Sequence, residues 1–254
     1  MAHRFFLAGP LGGEPGEPLP LSAEDAHHAV RVLRVTAGER IEIVEPGGAV
    51  LCAAVVSADD AGVSATVLGP VDDDGSRLPR VTLFQGVAKG DKMDDIVRMA
   101  VEIGAEAIVP VMTSRTIVRL DADKRMARGE RWQRISKSAA EQAKRASVPG
   151  VEAPIDFAEA VVLLSAYDRV VVLWEESRGS DLAEGLSDLR GRPEVRVALV
   201  VGPEGGLSAE EVDALVAGGA VVATLGPTVM RSETAAVVSL ALAIASLGGM
   251  GGSQ

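Results

Sequence analysis

The sequence predicts an α/β protein in which a parallel α/β domain follows a smaller β-rich domain. From Leu78 onwards, short apolar runs alternate with segments of helical periodicity, the pattern of a parallel sheet flanked by helices. Before that point, short apolar runs are separated by turn residues, as in a small β domain. A chain of 254 residues, 47% of them hydrophobic, is long enough to build both cores.

Charge is distributed unevenly along the chain. The net charge of −11 divides into −7 for residues 1–77, +5 for residues 78–150 and −9 for residues 151–254. Because the local field rather than the total charge steers a polyanion, the middle segment is where a nucleic acid would bind. The sequence contains no apolar run of the roughly 18 residues that span a membrane, and no signal-peptide pattern. We therefore expect a cytoplasmic protein without membrane contact.

Cysteine and histidine are too few for a metal or disulfide framework. Cys52 is the single cysteine, the three histidines form no H-E-x-x-H motif, and a zinc site is therefore not expected. Cys52 lies in an apolar run, and we interpret it as a small buried hydrophobic residue. We expect the protein to work without a metal ion.

The amino-terminal domain is predicted over residues 1–73. Its strands are expected at 40–44, 50–56 and 63–67, and a helix begins after Ser22, where Asp25 forms an imperfect capping box. That helix carries a histidine and arginine cluster: His27, His28, Arg31 and Arg34. From the pattern alone, these four residues fit an ordinary exposed face as well as a binding surface. The acidic segment 72–76 is interpreted as a linker.

The second domain is predicted over residues 78–254. Its strands are expected at 81–87, 108–112, 170–174, 195–201 and 220–225. Its helices are expected from Asp91, over 124–146, after the capping box of Ser208 and Glu211, and over 232–247. One side of the long helix is basic, with Arg131, Arg134, Lys137, Lys144 and Arg145. Such a side is often plain solvated surface, but its density favours contact with RNA.

Two Gly/Pro-rich bends follow apolar strands near the carboxyl terminus. The first bend, residues 202–207, reads Gly-Pro-Glu-Gly-Gly-Leu, and the second bend, residues 225–231, reads Leu-Gly-Pro-Thr-Val-Met-Arg. Bends at the carboxyl ends of buried strands are where open α/β sheets bind ligands. Neither bend has the G-x-G-x-x-G or G-x-x-x-x-G-K-[ST] spacing of nucleotide-phosphate loops. We interpret them as two walls of one pocket.

These motifs resemble a known family. Gly-Pro-Glu-Gly-Gly at 202–206 and Leu-Gly-x-x-x-x-Arg-x-Glu-Thr-Ala at 225–235 are similar to the ribosomal RNA small subunit methyltransferase E family. The similarity extends over nearly the whole chain and includes Arg4-Phe5-Phe6, Lys89-Gly90-Asp91-Lys92-Met93-Asp94 and Glu141-Gln142. Leu207 and Val229-Met230 are mild departures, at positions where an aromatic residue and Ile-Leu are usual.

The resemblance implies the fold and the reaction. It implies a PUA-like β-barrel domain followed by a SPOUT domain with a trefoil knot, which periodicity alone does not indicate. The implied enzyme is a homodimer that transfers a methyl group from S-adenosylmethionine to N3 of a uridine in 16S ribosomal RNA of the small ribosomal subunit.

The resemblance also identifies candidate site residues. Cofactor contacts are expected at Leu173, Leu199, Gly202, Pro203, Glu204, Gly205, Gly206, Leu225, Gly226, Val229, Met230, Arg231 and Thr234. RNA contacts are expected at His28, Arg31, Arg34, Lys89, Lys92, Arg115, Arg134 and Arg145. The N3 proton must leave, so a base or an anion-stabilising cation is needed. The candidates are Arg231, Glu141 and Glu233, and the sequence does not choose among them.

Three alternative functions make different demands on the same residues. A SPOUT-type methyltransferase acting on another RNA site fits the same motifs. A non-catalytic RNA-binding adaptor would need the basic stripe without the paired bends. A Rossmann oxidoreductase requires G-x-G-x-x-G with an acidic residue about 20 positions later, which the sequence lacks.

Overall fold

The protein folds into two compact units. The first unit is Met1–Gly75 with Ala140–Val148, and the second is Ser76–Ala139 with Pro149–Gln254. The structure, a computed structural model, describes residues 2–9, 18–59, 61–71, 78–175, 180–192 and 194–250. The predicted linker at 72–76 lies outside these ranges. Within them, no helix combines the length and hydropathy that crossing a bilayer demands.

The first unit is built on a mixed sheet. Its elements are β1 (His3–Phe6), β2 (Leu19–Pro20), α1 (Ala23–His27), β3 (Arg40–Val44), β4 (Val50–Asp59) and β5 (Gly62–Pro70). The strands are ordered β1-β3-β4-β5-β2, with β1 and β3 parallel and the other neighbours antiparallel. Alternating apolar residues of the strands, such as Phe5, Ile41 and Ile43, pack with Ala26 and Ala29 into the core. This confirms the β-rich prediction.

The predicted helix after Ser22 changes its winding midway. The hydroxyl of Ser22 accepts the Asp25 backbone N–H at 3.1 Å, as its capping role requires. α1 then continues as a π-helical turn over His28–Leu33, and the chain leaves it at Arg34 with a φ of 57°. Wider turns of this kind are rare and recur at functional sites. The hydrophobic periodicity gave no indication of it.

The second unit confirms the parallel α/β prediction. Its strands are β6 (Arg80–Gly86), β7 (Ala107–Met112), β8 (Gly150–Val151), β9 (Ile155–Asp156), β10 (Arg169–Leu173), β11 (Arg196–Val201) and β12 (Val221–Ala223). Its helices are α2 (Lys92–Ile103), α3 (Ala122–Gln142), α4 (Phe157–Leu164), α5 (Leu182–Leu186), α6 (Ala209–Ala217) and α7 (Ser232–Ser246). The strand order is β12-β10-β11-β6-β7-β8, β9 also pairs with β7, and every one of these pairings is parallel.

The closing helix α7 packs onto the sheet and its neighbours. It contacts α2, α5, β6 and β11, and its buried side includes Ala236, Leu240, Ala243 and Ile244. Leu242, by contrast, is 42% exposed. The apolar sequence of α7 is therefore explained in part by burial within its own unit.

The predicted end of the long helix is wrong. The periodicity extended it to residue 146, but α3 ends at Gln142 because Lys144 adopts a left-handed conformation with a φ of 58°. The Arg145 N–H then bonds the Ala140 carbonyl at 2.9 Å, closing the helix as a glycine would. Lys144 is held there because its ammonium donates to the Glu42 carboxylate at 3.0 Å and to the Ala2 carbonyl.

The trefoil knot stays a prediction. Strand order and pairing are compatible with a threaded and with an unthreaded path, so the sheet topology does not decide between them.

Candidate active site

A cavity lies at the carboxyl edge of the second unit's sheet. It measures about 410 Å³, within the usual size of a small-molecule site. The ends of β10, β11 and β12 contribute its walls, which consist of Lys92, Leu173, Trp174, Glu175, Val201, Gly202, Pro203, Glu204, Gly206, Thr224, Leu225, Gly226, Pro227, Thr228, Val229, Met230, Arg231, Ser232 and Ala235. The chain runs from β6 to β7 and β8 on one side of the sheet and then crosses to β10 on the other side, where β11 lies between β10 and β6. This reversal is where open sheets form ligand sites.

The first bend is held from beneath by buried hydrogen bonds. The Gly202 carbonyl accepts from the Ser232 hydroxyl at 2.6 Å and from the Gln85 side-chain amide at 3.2 Å. The Gly206 N–H closes the bend onto the Pro203 carbonyl at 2.9 Å. Gly202, Pro203, Gln85 and Ser232 are all buried. These hydrogen bonds anchor the first bend to β6 through Gln85 and to α7 through Ser232.

Two glycines allow the close approach of this bend. A Cβ at Gly86, the last residue of β6, would overlap the backbone nitrogen and ring of Pro203. Gly206 has a φ of 70°, and a Cβ there would lie 2.9 Å from a Glu175 carboxylate oxygen. Any larger residue at Gly86 would force the bend away from the strand, which explains why glycine is needed there.

A loop after β7 is tied to the first bend. The capping box of Ser208 and Glu211 is present as predicted, and it starts α6. The Glu211 carboxylate oxygen that is not used in the capping box accepts the Ser114 N–H at 2.7 Å. The Arg115 guanidinium donates to the Gly205 carbonyl at 3.0 Å. The loop and the bend are thus linked on the outer side of the cavity.

The second bend is open by comparison. Gly226, Pro227 and Thr228 are exposed, and Val229 is 83% exposed. Its start is held by Thr224, whose hydroxyl accepts the Gly226 N–H at 3.2 Å. Val229 is thus an exposed apolar side chain at the edge of the cavity.

Charged groups meet where the two bends approach α2. The Lys92 ammonium lies 3.3 Å from the Glu204 carboxylate and 3.1 Å from that of Glu233. The hydrogen bond with Glu233 raises the pKa of Lys92 above its ordinary value. Burial by itself raises the pKa of Glu233, but its backbone N–H, Lys92 and Arg231 outweigh that effect and hold the pKa below its ordinary value. Because its pKa is low, the Glu233 carboxylate is a weak proton acceptor.

Most of the predicted cofactor residues line the cavity. They are Leu173, Gly202, Pro203, Glu204, Gly206, Leu225, Gly226, Val229, Met230 and Arg231. Trp174 and Glu175, which were not singled out from the sequence, also line it. They follow directly on β10, so the rule that ligands bind beyond strand ends points to both.

Three predicted cofactor residues are not in the cavity wall. Leu199 is fully buried, because it lies two residues before the end of β11 on the same side as Val201, one layer deeper in the core. Gly205 turns towards Arg115, whose Cβ would be 3.1 Å from an added Cβ. Thr234 is exposed and lies on another side of α7 from Ser232 and Ala235. The structure does not bring these three residues to the cavity wall, and cofactor contacts at them stay predictions.

The predicted RNA contacts differ in how available they are. In the first unit Arg31 and Arg34 are exposed and His28 is half-buried, and in the second unit Lys89, Arg115 and Arg134 are exposed. Arg145 lies beyond the end of α3 and is half-buried, and burial lowers the pKa of its guanidinium to about 10. Glu141 is grouped with the first unit and does not line the cavity.

Comparison with known proteins identifies the family. Residues 76–244 match the family model of the RNA methyltransferase domain, and residues 21–67 match that of the RNA methyltransferase PUA domain. The chain is 31% identical over 229 residues to the ribosomal RNA small subunit methyltransferase E of Bacillus subtilis (strain 168), covering 89% of this chain and 90% of that protein. The chain belongs to the ribosomal RNA small subunit methyltransferase E family. The Mycobacterium bovis relative of the same name is 32% identical over 232 residues, covering 89% of this chain and 86% of that protein.

Solved structures of family E and related methyltransferases share the architecture. The family member from Neisseria gonorrhoeae, bound to S-adenosyl methionine, has a TM-score of 0.82 at 30% identity, covering 95% of this chain and 96% of that one. A putative methyltransferase from Legionella pneumophila, in complex with the same cofactor, has a TM-score of 0.85 at 26% identity, covering 97% and 98%. The second unit is thus a SPOUT α/β domain, and the first is PUA-like.

Proposed function

We propose that this protein binds S-adenosylmethionine between the two bends and methylates N3 of a uridine in 16S ribosomal RNA of the small ribosomal subunit. The observation that carries the proposal is the cavity at the carboxyl edge of β10, β11 and β12, to which both bends contribute. Family membership supports the reaction, and the relative from Neisseria gonorrhoeae has the cofactor in its structure at 30% identity.

The cavity wall fits the parts of this cofactor. Leu173, Trp174 and Val229 offer apolar surface for an adenine ring, and the bends expose backbone groups for its polar edge. The Glu175 carboxylate suits the ribose hydroxyls or a cationic group of the cofactor. We propose as cofactor contacts the predicted residues that line the cavity, together with Trp174 and Glu175.

The protein contributes position and electrostatics to the reaction. When bound, S-adenosylmethionine supplies an electrophilic methyl group. A neutral imide nitrogen is a poor nucleophile, so the uridine N3 must lose its proton to a base or to water as the N–C bond forms and the methyl–sulfur bond breaks. Arg231, an exposed cation in the cavity wall at the start of α7, is suited to stabilise the uracil anion. Glu233 is less suited as the base, because its own backbone N–H and Lys92 hold the pKa of its carboxyl below the ordinary value and so weaken it as a proton acceptor.

We propose that RNA binds through exposed cations of both units. These are Arg31 and Arg34, with His28 beside them, and Lys89, Arg115 and Arg134 of the second unit. We leave out Arg145, which is half-buried, and Lys92, whose ammonium is engaged by two carboxylates. The domain limits of 1–73 and 78–254 and a cytoplasmic location belong to the same proposal. A homodimer is proposed from the exposed Leu242 on the apolar helix α7.

Calorimetry and nucleotide mapping test this function. The protein should bind S-adenosylhomocysteine and not NAD, and ribosomes from a deletion strain should lack one N3-methyluridine in 16S RNA that the gene restores. Modification at a different nucleotide would make the protein a SPOUT methyltransferase of another RNA site. Failure to bind S-adenosylhomocysteine, with RNA binding intact, would make it a non-catalytic adaptor.

The role of Arg231 is tested separately from binding. Arg231→Ala should lower the single-turnover methylation rate at saturating RNA and cofactor by roughly 10²–10³-fold, as for the loss of one electrostatic contact in a transition state. RNA affinity should change little. Weakened RNA binding with an intact saturated rate would instead make Arg231 a phosphate contact.

A further inference from the structure

One lysine links the first bend to the start of α7. Lys92 begins α2, and its ammonium contacts the Glu204 carboxylate of the first bend at 3.3 Å. The same ammonium contacts Glu233, in the first turn of α7 just after the second bend, at 3.1 Å. The three side chains are 30%, 18% and 21% exposed, so solvent screens these contacts only in part.

Further contacts hold the two carboxylates in place. The Lys89 backbone N–H donates to both oxygens of Glu204, at 3.2 and 3.4 Å. The Glu233 carboxylate bonds to its own backbone N–H, and the charge of Arg231 lies close enough to act on it. A negative side chain in the first turn of a helix is also stabilised by the helix dipole. Each carboxylate therefore has a fixed position, and Lys92 joins them.

This arrangement does not suit a phosphate contact. A phosphate approaching the Lys92 ammonium would meet Glu204 and Glu233, two negative charges already in contact with it, and repulsion would oppose its binding. Without the ammonium, the two carboxylates would face each other and repel. The first bend and the start of α7 would then be pushed apart, and the cavity between them would change shape.

We propose that Lys92 is a positioning residue for the cofactor: it fastens the first bend to the start of α7 through Glu204 and Glu233, and it does not contact RNA. The proposal rests on the proposed function, since it concerns the same cavity. It assigns Lys92 to the binding geometry of the pocket rather than to the basic surface.

The test replaces Lys92 and measures both ligands. Lys92→Met should weaken S-adenosylhomocysteine binding roughly tenfold by calorimetry, a typical coupling between two elements. The slope of log K against log salt for RNA should stay unchanged. Lys92→Arg, which keeps the charge, should restore most of the cofactor affinity. The double variant Lys92→Met with Glu233→Gln should bind better than Lys92→Met alone, because it removes the repulsion.

A matched control and a second variant keep the test decisive. The control is Lys124→Met, which also removes an ammonium paired with a carboxylate, that of Asp121 at 2.7 Å. This pair does not belong to the cavity wall, so the variant should leave cofactor affinity unchanged. Should Lys92→Met fail to fold, Glu233→Gln is measured instead and should weaken cofactor binding several-fold, without changing the RNA salt slope.

Three outcomes separate the possibilities. Cofactor affinity that stays within twofold in Lys92→Met, or in Glu233→Gln, overturns the proposal. A salt slope that falls by about one with cofactor affinity intact would make Lys92 a phosphate contact. If the wild-type protein itself does not bind S-adenosylhomocysteine, the proposed function fails, whatever Lys92 does.

Discussion

The two bends of the cavity are similar in sequence character and opposite in structure. Gly202, Pro203 and Leu207 of the first bend are buried, and the Gly202 carbonyl accepts hydrogen bonds from Gln85 and Ser232. The second bend is exposed, and Val229 projects into water. The difference indicates that a Gly/Pro-rich segment is anchored by hydrogen bonds from neighbouring strands and helices, and not by its own sequence. We infer that the first bend is the anchored wall of the proposed cofactor site and that a bound ligand covers the apolar surface of the second bend.

The largest effect is expected from Gly86→Ala. The added Cβ would overlap Pro203, so the first bend must move and the preformed wall is lost. Affinity for S-adenosylhomocysteine should fall about 100-fold, since a displacement of roughly 1 Å in a preorganised site has effects of this size. Gly150→Ala, where a Cβ meets nothing within 4 Å, is the control and should bind normally. Normal binding by Gly86→Ala would show that the first bend need not be fixed.

A smaller effect is expected from Ser232→Ala. The change removes the 2.6 Å bond to the Gly202 carbonyl, while Gln85 still donates to that carbonyl at 3.2 Å. We expect a loss of about 1–3 kcal/mol in the free energy of unfolding, with cofactor affinity reduced about tenfold. Ser239→Ala removes another buried hydroxyl of α7, bonded within the helix, and should lower stability but leave cofactor affinity unchanged. Equal affinity losses in both variants would contradict a specific role for Ser232.

The smallest effect is expected in the open bend. Val229→Ser should change the free energy of unfolding by less than about 0.5 kcal/mol, because the side chain is already 83% exposed. Cofactor affinity should still fall about threefold, because only the bound ligand covers that apolar surface. Val216→Ser, at an exposed position of α6, is the control and should alter neither quantity. A large stability loss at Val229, measured by chemical denaturation, would show that the second bend is packed rather than open.

Local signals in the sequence predicted much of this arrangement. Alternating strands and helices gave the parallel sheet, and Ser208 with Glu211 gave the start of α6. Leu173 and Val229, which line the cavity, were expected there from the family resemblance, whereas the sheet and the start of α6 were predicted from local patterns. Such predictions succeed because periodicity and capping depend on residues close in sequence.

Features that depend on distant contacts were missed. Helix α3 ends early because Lys144 is held in a left-handed conformation by Glu42, a partner 102 residues away. Leu199, a predicted cofactor contact, lies in the core below the cavity wall, and its depth depends on the neighbouring strands rather than on its own segment. The pairing of Lys92 with Glu204 and Glu233 joins residues more than 100 positions apart, and hydrophobic periodicity does not report it.

Amide hydrogen exchange tests the central claim most directly, because it reads both bends in one experiment. Without ligand, the Gly206 amide, bonded to Pro203, should exchange slowly, and the amides of the second bend should exchange rapidly. Adding S-adenosylhomocysteine should slow exchange at residues 226–231 and leave the slow exchange of the first bend nearly unchanged. Protection elsewhere in the chain, with no change in the second bend, would contradict a cofactor site between the two bends.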